Sequence, residues 1–301
     1  MLNRVEYGGW ANNIKLSNGQ IELIATLDVG PRIIRLGFVD GPNLMKEFPE
    51  EMGGTGENEW MIRGGHRFWH APEAKPRSYV QDNFPVALEE IDELGIRLTP
   101  RPEVDNGIQK QLEIRMAADR NSVTLTHRMT NIGPWAITAA PWALSVMTPG
   151  GMAIIPLPEK RPHTEVLVPD FPLVMWPYTD MSDSRFTWGR RYITLKQDAA
   201  KGPTKLGTAL HLGWAAYLVH NTLFTKYFDY QPGEQYPDYG CNFETFTNEF
   251  MLEIESVAPL RLLEPGMTVE HVETWRLCAN IPEISDEASI DQLIRPLVDA
   301  Q

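Results

Sequence analysis

The sequence predicts an all-β protein, a large antiparallel sandwich with a short C-terminal helix. Apolar residues recur at intervals of two in many short segments, as expected for strands with one buried face. Glycine and proline, with 23 and 24 residues, make up about one residue in six and interrupt long helices. Because no helical segments alternate with the predicted strands, a large antiparallel sandwich is favoured over a parallel sheet.

The first predicted strands form a hairpin. Apolar residues alternate through Gln20–Leu27, the pair Gly30-Pro31 turns the chain, and Arg32–Val39 is the partner strand. No repeat, low-complexity tract or linker divides the chain, so we expect one domain over residues 1–301. The same alternation predicts the remaining strands, which are Gln111–Met116, Ser122–Met129, Trp135–Met147, Met152–Ile155, Tyr192–Leu195, Trp214–Leu218, Leu223–Phe228, Asn242–Thr247, Phe250–Val257 and Val269–Leu277.

The C-terminal segment has helical rather than strand periodicity. Ser285 or Ser289 can cap a helix at its N-terminus, and Pro296 is expected to kink or end it. We expect this helix to pack on an edge of the sandwich. Its apolar stripe consists of Ile290, Leu293, Ile294, Leu297 and Val298.

Charge and composition exclude several classes of partner. The chain has 27 Lys and Arg against 40 Asp and Glu, a net charge of −13, which disfavours nucleic acid and anionic membrane surfaces as partners. No apolar run approaches the roughly 18 residues of a membrane span, and the first residues do not form a signal peptide. The two cysteines, Cys241 and Cys278, make neither a disulfide framework nor a zinc site. We therefore expect a cytoplasmic protein.

The segment 61–73 is the first of three that place polar residues among apolar ones. Guanidinium and imidazole groups beside indole rings suit a sugar pocket, because they bond hydroxyls and stack on C–H faces. The alternative is a surface loop with solvated charges. Around the pair Gly64-Gly65 the candidate residues are Arg63, His66, Arg67, Trp69 and His70.

The other two segments contribute carboxylates. Segment 236–247 offers Tyr236, Asp238 and Glu244, although Pro-Asp-Tyr-Gly is also an ordinary turn sequence. In segment 250–257, Glu253 and Glu255 are two residues apart and project from the same face of a strand. Two adjacent carboxylates either face water or line a polar cavity, where repulsion raises the pKa of one of them.

Metal and cofactor sites are not predicted. His66 and His70 have a spacing that converges only on a helix, and Gly64-Gly65 and Pro72 disfavour a helix there. The chain has no serine-hydrolase elbow, Walker loop or dinucleotide fingerprint. We therefore expect a reaction without metal or nucleotide.

The order of several motifs resembles the galactose mutarotase (aldose 1-epimerase) superfamily over nearly the whole length. Ile254-Glu255-Ser256, followed by Pro265-Gly266, His271 and Trp275, is similar to its closing strands. Ile62-Arg63-Gly64-Gly65 is similar to a sugar-binding run of the hexose-6-phosphate mutarotase branch, and 29–45 resembles the first hairpin. The resemblance implies a β-supersandwich with a sugar-binding groove on its concave face.

The resemblance also implies catalytic roles. Glu255 corresponds to the base that takes a proton from the anomeric hydroxyl, and Arg63 to a residue that binds sugar hydroxyls. The family's acid, a histidine, does not carry over, because Trp142 stands at its position. His66 or His70 is then the expected acid. Arg63, His66, Trp142 and Glu255 are accordingly predicted to share one concave surface.

Three functions remain open on this basis. The first is an aldose epimerase-like enzyme acting on a free sugar or small glycoside, with Arg63, Arg67 and Lys226 on its hydroxyls and Trp69 and Trp142 stacking. The second is a glycoside-cleaving enzyme with Glu255 paired to Glu244 or Asp238. The third is a non-catalytic carbohydrate-binding protein. The expected partner in each case is a small-molecule sugar or oligosaccharide, and the oligomeric state stays open.

Overall fold

The computed structural model describes residues 1–300 and is built from two antiparallel sheets. In the first sheet the spatial order is β1-β2-β3-β4-β5-β10-β19-β18-β15-β12, and β20 pairs with the start of β10. Its strands are β1 (Leu2–Tyr7), β2 (Trp10–Ser17), β3 (Ile21–Thr26), β4 (Arg32–Phe38), β5 (Gly65–Ala71), β10 (Ile137–Met147), β12 (Leu173–Met175), β15 (Thr204–Thr208), β18 (Phe243–Thr247), β19 (Leu252–Val257) and β20 (Arg261–Leu263).

The second sheet has ten strands in the order β13-β14-β11-β16-β17-β21-β9-β8-β7-β6. Short 3-10 turns lie at Arg77–Tyr79 and Val104–Asn106. The strands are β6 (Ala87–Asp92), β7 (Gly95–Thr99), β8 (Ile108–Met116), β9 (Ser122–Asn131), β11 (Met152–Pro156), β13 (Phe186–Trp188), β14 (Tyr192–Lys196), β16 (Trp214–Val219), β17 (Thr222–Phe228) and β21 (Thr268–Cys278).

The main core lies between the two sheets. Side chains from the first sheet, such as Leu23 and Ile254, pack in one buried cluster with side chains from the second, such as Leu125 and Phe224. In β9 buried and half-buried residues alternate strictly, because one face meets this core and the other faces out. The alternating apolar residues that predicted strands such as β9 are therefore the residues that pack in the core.

The register at the centre of the first sheet decides which side chains share a face. β10 lies between β5 and β19, and Leu144 is directly opposite both Arg67 and Glu255. The next residue along, Ser145, is opposite His66 and Ile254. Directly opposed residues project to the same side, so Arg67 and Glu255 lie on the outer face, turned away from the second sheet.

Most of the predicted strands are confirmed, including the first hairpin, in which β3 pairs with β4. The prediction for Trp135–Met147 begins two residues early, since β10 starts at Ile137. The surface-loop alternative for segment 61–73 is wrong, because all seven residues of β5 are buried. Since both faces of β5 are covered, polar and apolar residues do not alternate in its sequence.

The helices are short. They are α1 (Pro237–Gly240), α2 (Glu287–Leu293) and α3 (Arg295–Asp299). Asp286, rather than Ser285 or Ser289, caps α2, and Ser289 completes the capping box from position N3. As predicted, the apolar stripe packs against a sheet, and the helix is interrupted just before Pro296. Within residues 1–300, no helix is both long and apolar enough to cross a membrane.

Replacing Asp286 by alanine is expected to lower the free energy of unfolding, because the backbone N–H of Ser289 loses its acceptor at 2.8 Å. Urea denaturation monitored by circular dichroism measures the change. Ser285→Ala is the matched control, and equal losses in both variants would contradict the assignment of Asp286 as the cap.

Candidate functional site

Two carboxylates and one ammonium group form the centre of a polar cluster on the outer face of the first sheet. Glu244 on β18 and Glu255 on β19 are directly opposed across the strand pair. The Nζ atom of Lys205, on the next strand β15, lies 2.6 Å from Glu244 Oε2 and 3.2 Å from Glu255 Oε2. Glu255 is 0% exposed and Glu244 is 1% exposed. One lysine therefore neutralises only half the formal charge of this buried carboxylate pair.

A second ion pair extends the cluster across β10. The guanidinium of Arg67 on β5 donates to Glu253 at 2.7 Å. Glu253 and Glu255 are thus on the same face, as the two-residue spacing predicted, and both face the cluster rather than water.

Indole rings enclose both cations. Lys205 Nζ lies 4.9 Å from the ring centroid of Trp142 and 4.7 Å from that of Trp176. The Arg67 guanidinium lies 4.6 Å from the ring of Trp69 and 5.5 Å from that of Trp60. Such contacts stabilise a cation more strongly where water is excluded.

Trp142 also contributes a hydrogen bond. Its Nε1–H donates to Glu255 Oε2 at 3.0 Å, and Lys205 bonds the same oxygen. Glu255 Oε1 is buried and has no hydrogen-bond partner among the described residues, and the same holds for Glu244 Oε1. A buried carboxylate oxygen without a donor is unfavourable, so these atoms are positions where a hydroxyl of a bound molecule would be stabilised.

Burial raises the pKa of both central carboxyls. For Glu255, the negative charge of Glu253 adds to the rise and Lys205 opposes it. For Glu244, Lys205 again opposes the effect of burial, while Glu255 and Asp238 add to the rise in pKa. Although burial alone would lower it, the two carboxylates raise the pKa of Lys205, which therefore stays protonated. The carboxyl pair can hold a proton at a pH where an ordinary glutamate has lost it.

His66 and Lys226 are not part of this cluster, and the prediction that His66 shares a surface with Glu255 is wrong. His66 immediately precedes Arg67 on β5 and therefore points to the opposite face, between the sheets. There its pKa is lowered well below the usual value by burial and by His127 and Lys226. Lys226, on β17 of the second sheet, forms a buried ion pair of 2.8 Å with Glu273.

His70 is also placed apart from Glu255, and Arg63 is engaged with other residues. His70 lies on the same face of β5 as His66, and burial lowers its pKa to about 2, so it is neutral at physiological pH. Arg63 lies in the connection that precedes β5 and is buried, and its guanidinium donates to Glu57 at 2.5 Å and to Asn83 at 3.1 Å. The Arg63 guanidinium is thus already paired with a carboxylate, and its place on one concave surface with Glu255 stays a prediction.

The residues of the segment before β18 lie at the edge of the polar cluster rather than at its centre. Asp238, in α1, is close enough to raise the pKa of Glu244 by its charge. The hydroxyl of Tyr236 accepts a hydrogen bond from the backbone N–H of Gln231 at 2.8 Å, and its ring stacks on that of Tyr230. Tyr236 is therefore engaged in holding its own loop.

The structure thus groups Arg67, Trp69, Trp142, Glu244 and Glu255 on one face. Reasoning from the sequence missed Lys205, Trp60 and Trp176. Lys205 is the one charged residue of the strand Thr204–Thr208, a signal that was present in the sequence. The two tryptophans lie outside the segments that were singled out.

Solved structures with the same arrangement of sheets identify the architecture. A galactose mutarotase-like protein from Lactobacillus casei ATCC 334 superposes with a TM-score of 0.58 at 10% identity, over 89% of this chain and 100% of that one. A galactose mutarotase-like protein from Clostridium acetobutylicum gives 0.54 at 11% identity, over 93% and 98%. The fold is that of the galactose mutarotase-like proteins.

The galactose mutarotase related enzyme from Lactobacillus acidophilus gives a TM-score of 0.52 at 8% identity, over 91% of this chain and 100% of that one. The mutarotase-like sandwich predicted from the sequence is confirmed at the level of the fold. No protein-family model matches the chain, and no curated protein matches it in sequence. The chemistry of this chain must therefore be argued from its own side chains.

As the pH rises from about 5 to 8, the free energy of unfolding is expected to fall less in the variant Glu244→Gln than in the wild type. The pKa of Glu244 is higher in the folded chain than in the unfolded one. The folded protein thus binds the additional proton in this range, and its stability falls as the pH rises through the folded pKa. The amide does not titrate, and Lys205 keeps Glu255 as its counter-ion.

Urea unfolding at several pH values in this range measures the difference between the wild type and the variant. Glu283→Gln, which changes an exposed glutamate, is the control and should leave the slope unchanged. An identical pH dependence in Glu244→Gln and the wild type would show that this carboxyl does not titrate as described.

Proposed function

We propose that this protein is a carbohydrate-active enzyme that interconverts the anomers of a free sugar, as an aldose 1-epimerase does. The observation that supports this most is the buried Glu244–Lys205–Glu255 group beside the ring of Trp142, in which one oxygen of Glu255 has no hydrogen-bond partner within residues 1–300. Mutarotation needs one group that removes a proton and one that supplies a proton, both held close to one sugar ring.

Glu255 and Glu244 divide these tasks. The carboxylate of Glu255 takes the proton of the anomeric hydroxyl, and the protonated carboxyl of Glu244 donates its proton to the ring oxygen. The C–O bond of the ring then breaks as the anomeric carbon becomes a carbonyl, and the reverse steps close the ring on either face. Glu244 thereby replaces the histidine that the resemblance led us to expect.

The other residues of the cluster orient the carboxylates and select the substrate. Trp142 and Lys205 both bond Glu255 Oε2, which leaves Oε1 free to accept the sugar proton. Arg67 is already paired with Glu253, and Lys205 with two carboxylates. Since neither cation is available for an anionic group, the cluster favours a neutral sugar over a phosphorylated one.

A second candidate function is cleavage of a glycoside by the same two carboxyls. One oxygen of each lies in ion-pair contact with the Lys205 nitrogen, at 2.6 and 3.2 Å, so these two oxygens are at most about 5.8 Å apart. A separation of about 5–5.5 Å is typical of retaining glycosidases, whereas inverting enzymes have roughly 6.5–9.5 Å. If this protein cleaves glycosides, the geometry favours retention of configuration.

Replacing Glu255 by glutamine is expected to lower kcat by about 100- to 10,000-fold and to leave sugar affinity nearly unchanged. The amide keeps the size of the side chain and an acceptor oxygen but cannot take a proton. Exchange of the two anomers is measured by NMR exchange spectroscopy, on sugars first selected by thermal shift from a set of monosaccharides and disaccharides.

Glu253→Gln is the matched control, because it lies two residues away on the same face and retains an acceptor for Arg67. It should cost less than about tenfold in kcat. If Glu253→Gln is inactive and Glu255→Gln fully active, Glu255 is not the base. A protein that binds sugars and catalyses neither anomer exchange nor glycoside hydrolysis is a carbohydrate-binding protein, which would refute the enzymatic proposal.

A further inference from the structure

A second polar cluster lies between the two sheets and has no part in the proposed reaction. His66 enters it from β5 of the first sheet, and His127 and Glu273 enter it from β9 and β21 of the second. All three side chains are 0% exposed. Three side chains with metal-ligating atoms, from three strands, are thus brought together between the sheets.

The potential ligand atoms of these residues converge. The two Nε2 atoms of His66 and His127 face each other at 2.8 Å, and His66 Nε2 lies 4.0 Å from Glu273 Oε2. All three atoms lie within 4.8 Å of one another. Separations of this size allow one ion to be reached by all three at roughly 2.0–2.2 Å after a small outward movement of the rings.

The opposite nitrogen of each imidazole is anchored, as is usual for histidine ligands. His127 Nδ1–H donates to the backbone carbonyl of His271 at 3.1 Å, which leaves its Nε2 as a lone-pair donor. His66 Nδ1 is hydrogen-bonded to Ser145 Oγ at 2.9 Å. The carboxylate is oriented too, because Trp275 Nε1 donates to Glu273 Oε2 at 3.0 Å.

We propose that His66, His127 and Glu273 form a buried binding site for a divalent transition metal ion, and that zinc is the ion its two-nitrogen, one-carboxylate donor set suits best. The ion would join the first sheet to the second directly behind the candidate site. Glu273 also accepts a hydrogen bond from Ser256, the residue next to Glu255. The ion would therefore help hold in place the strand that carries Glu255.

Lys226 is the group that disfavours metal binding at this site. Its Nζ lies 2.8 Å from Glu273 Oε1, so it neutralises the carboxylate when no metal is bound and repels a cation at the same site. It also bonds the backbone carbonyls of Ala143 and Ile254, at 3.2 and 2.9 Å, which spread its charge. A variant without this ammonium group should depend more strongly on the metal for its stability.

The test is the metal content and zinc affinity of the full chain, purified without immobilised-metal chromatography. Inductively coupled plasma mass spectrometry gives the content, and competition with a chromophoric chelator gives the affinity. We expect one zinc per chain, and a loss of affinity of more than about 100-fold in His127→Gln and Glu273→Gln. His271→Gln is the matched control, because His271 is buried in the same cluster with its Nε2 bonded to Ser256.

The hydrogen-bonded alternative, in which a proton joins the two imidazoles, predicts the opposite results. A wild-type protein that purifies without bound transition metal, and whose melting temperature is unchanged by added zinc and by chelator, would overturn the proposal even if the ligand variants fail to fold. Lys226→Met supplies an independent measurement: zinc should raise its melting temperature more than that of the wild type, and an equal or smaller shift contradicts the proposed site.

Discussion

Neighbouring side chains on a strand point to opposite faces of the sheet, and the chemistry of this protein depends on that constraint in β5 and β19. His66 faces the second sheet and Arg67 faces outward, although they are adjacent in sequence. Glu255 and Ser256 also point to opposite faces. Glu255 lies on the outer face, and Ser256 donates a hydrogen bond to Glu273 between the sheets. Two polar clusters of different character are therefore built on the two sides of a few strands.

The outer cluster is energetically unusual. Glu244 and Glu255 are buried beside one ammonium group, so their charges are incompletely compensated and their pKa values rise. A buried carboxylate of this kind lowers stability, and the large core between the sheets offsets that cost. Carboxyls whose pKa values are shifted by burial and by a neighbouring charge cluster at functional sites, which is why this cluster is the candidate site.

The sequence predicted much of the fold and about half of the candidate site. Period-two alternation found strands such as β3 and β9, and the resemblance placed Glu255 near Trp142. Alternation did not find β5, because polar and apolar residues do not alternate along its sequence, and His66 could therefore not be assigned a face. The pairing of His66 with His127 joins residues 61 positions apart on different sheets, which local spacing with His70 could not indicate.

We propose that a sugar binds and reacts on the outer face of the first sheet, at Glu255. A crystal structure of the full chain with a sugar selected by thermal shift tests this most directly. We predict a sugar ring against the indoles of Trp142 and Trp176, with a hydroxyl in hydrogen-bond contact with Glu255 Oε1. A sugar bound elsewhere on the protein, with Glu255 still enclosed and without a donor, would contradict the claim.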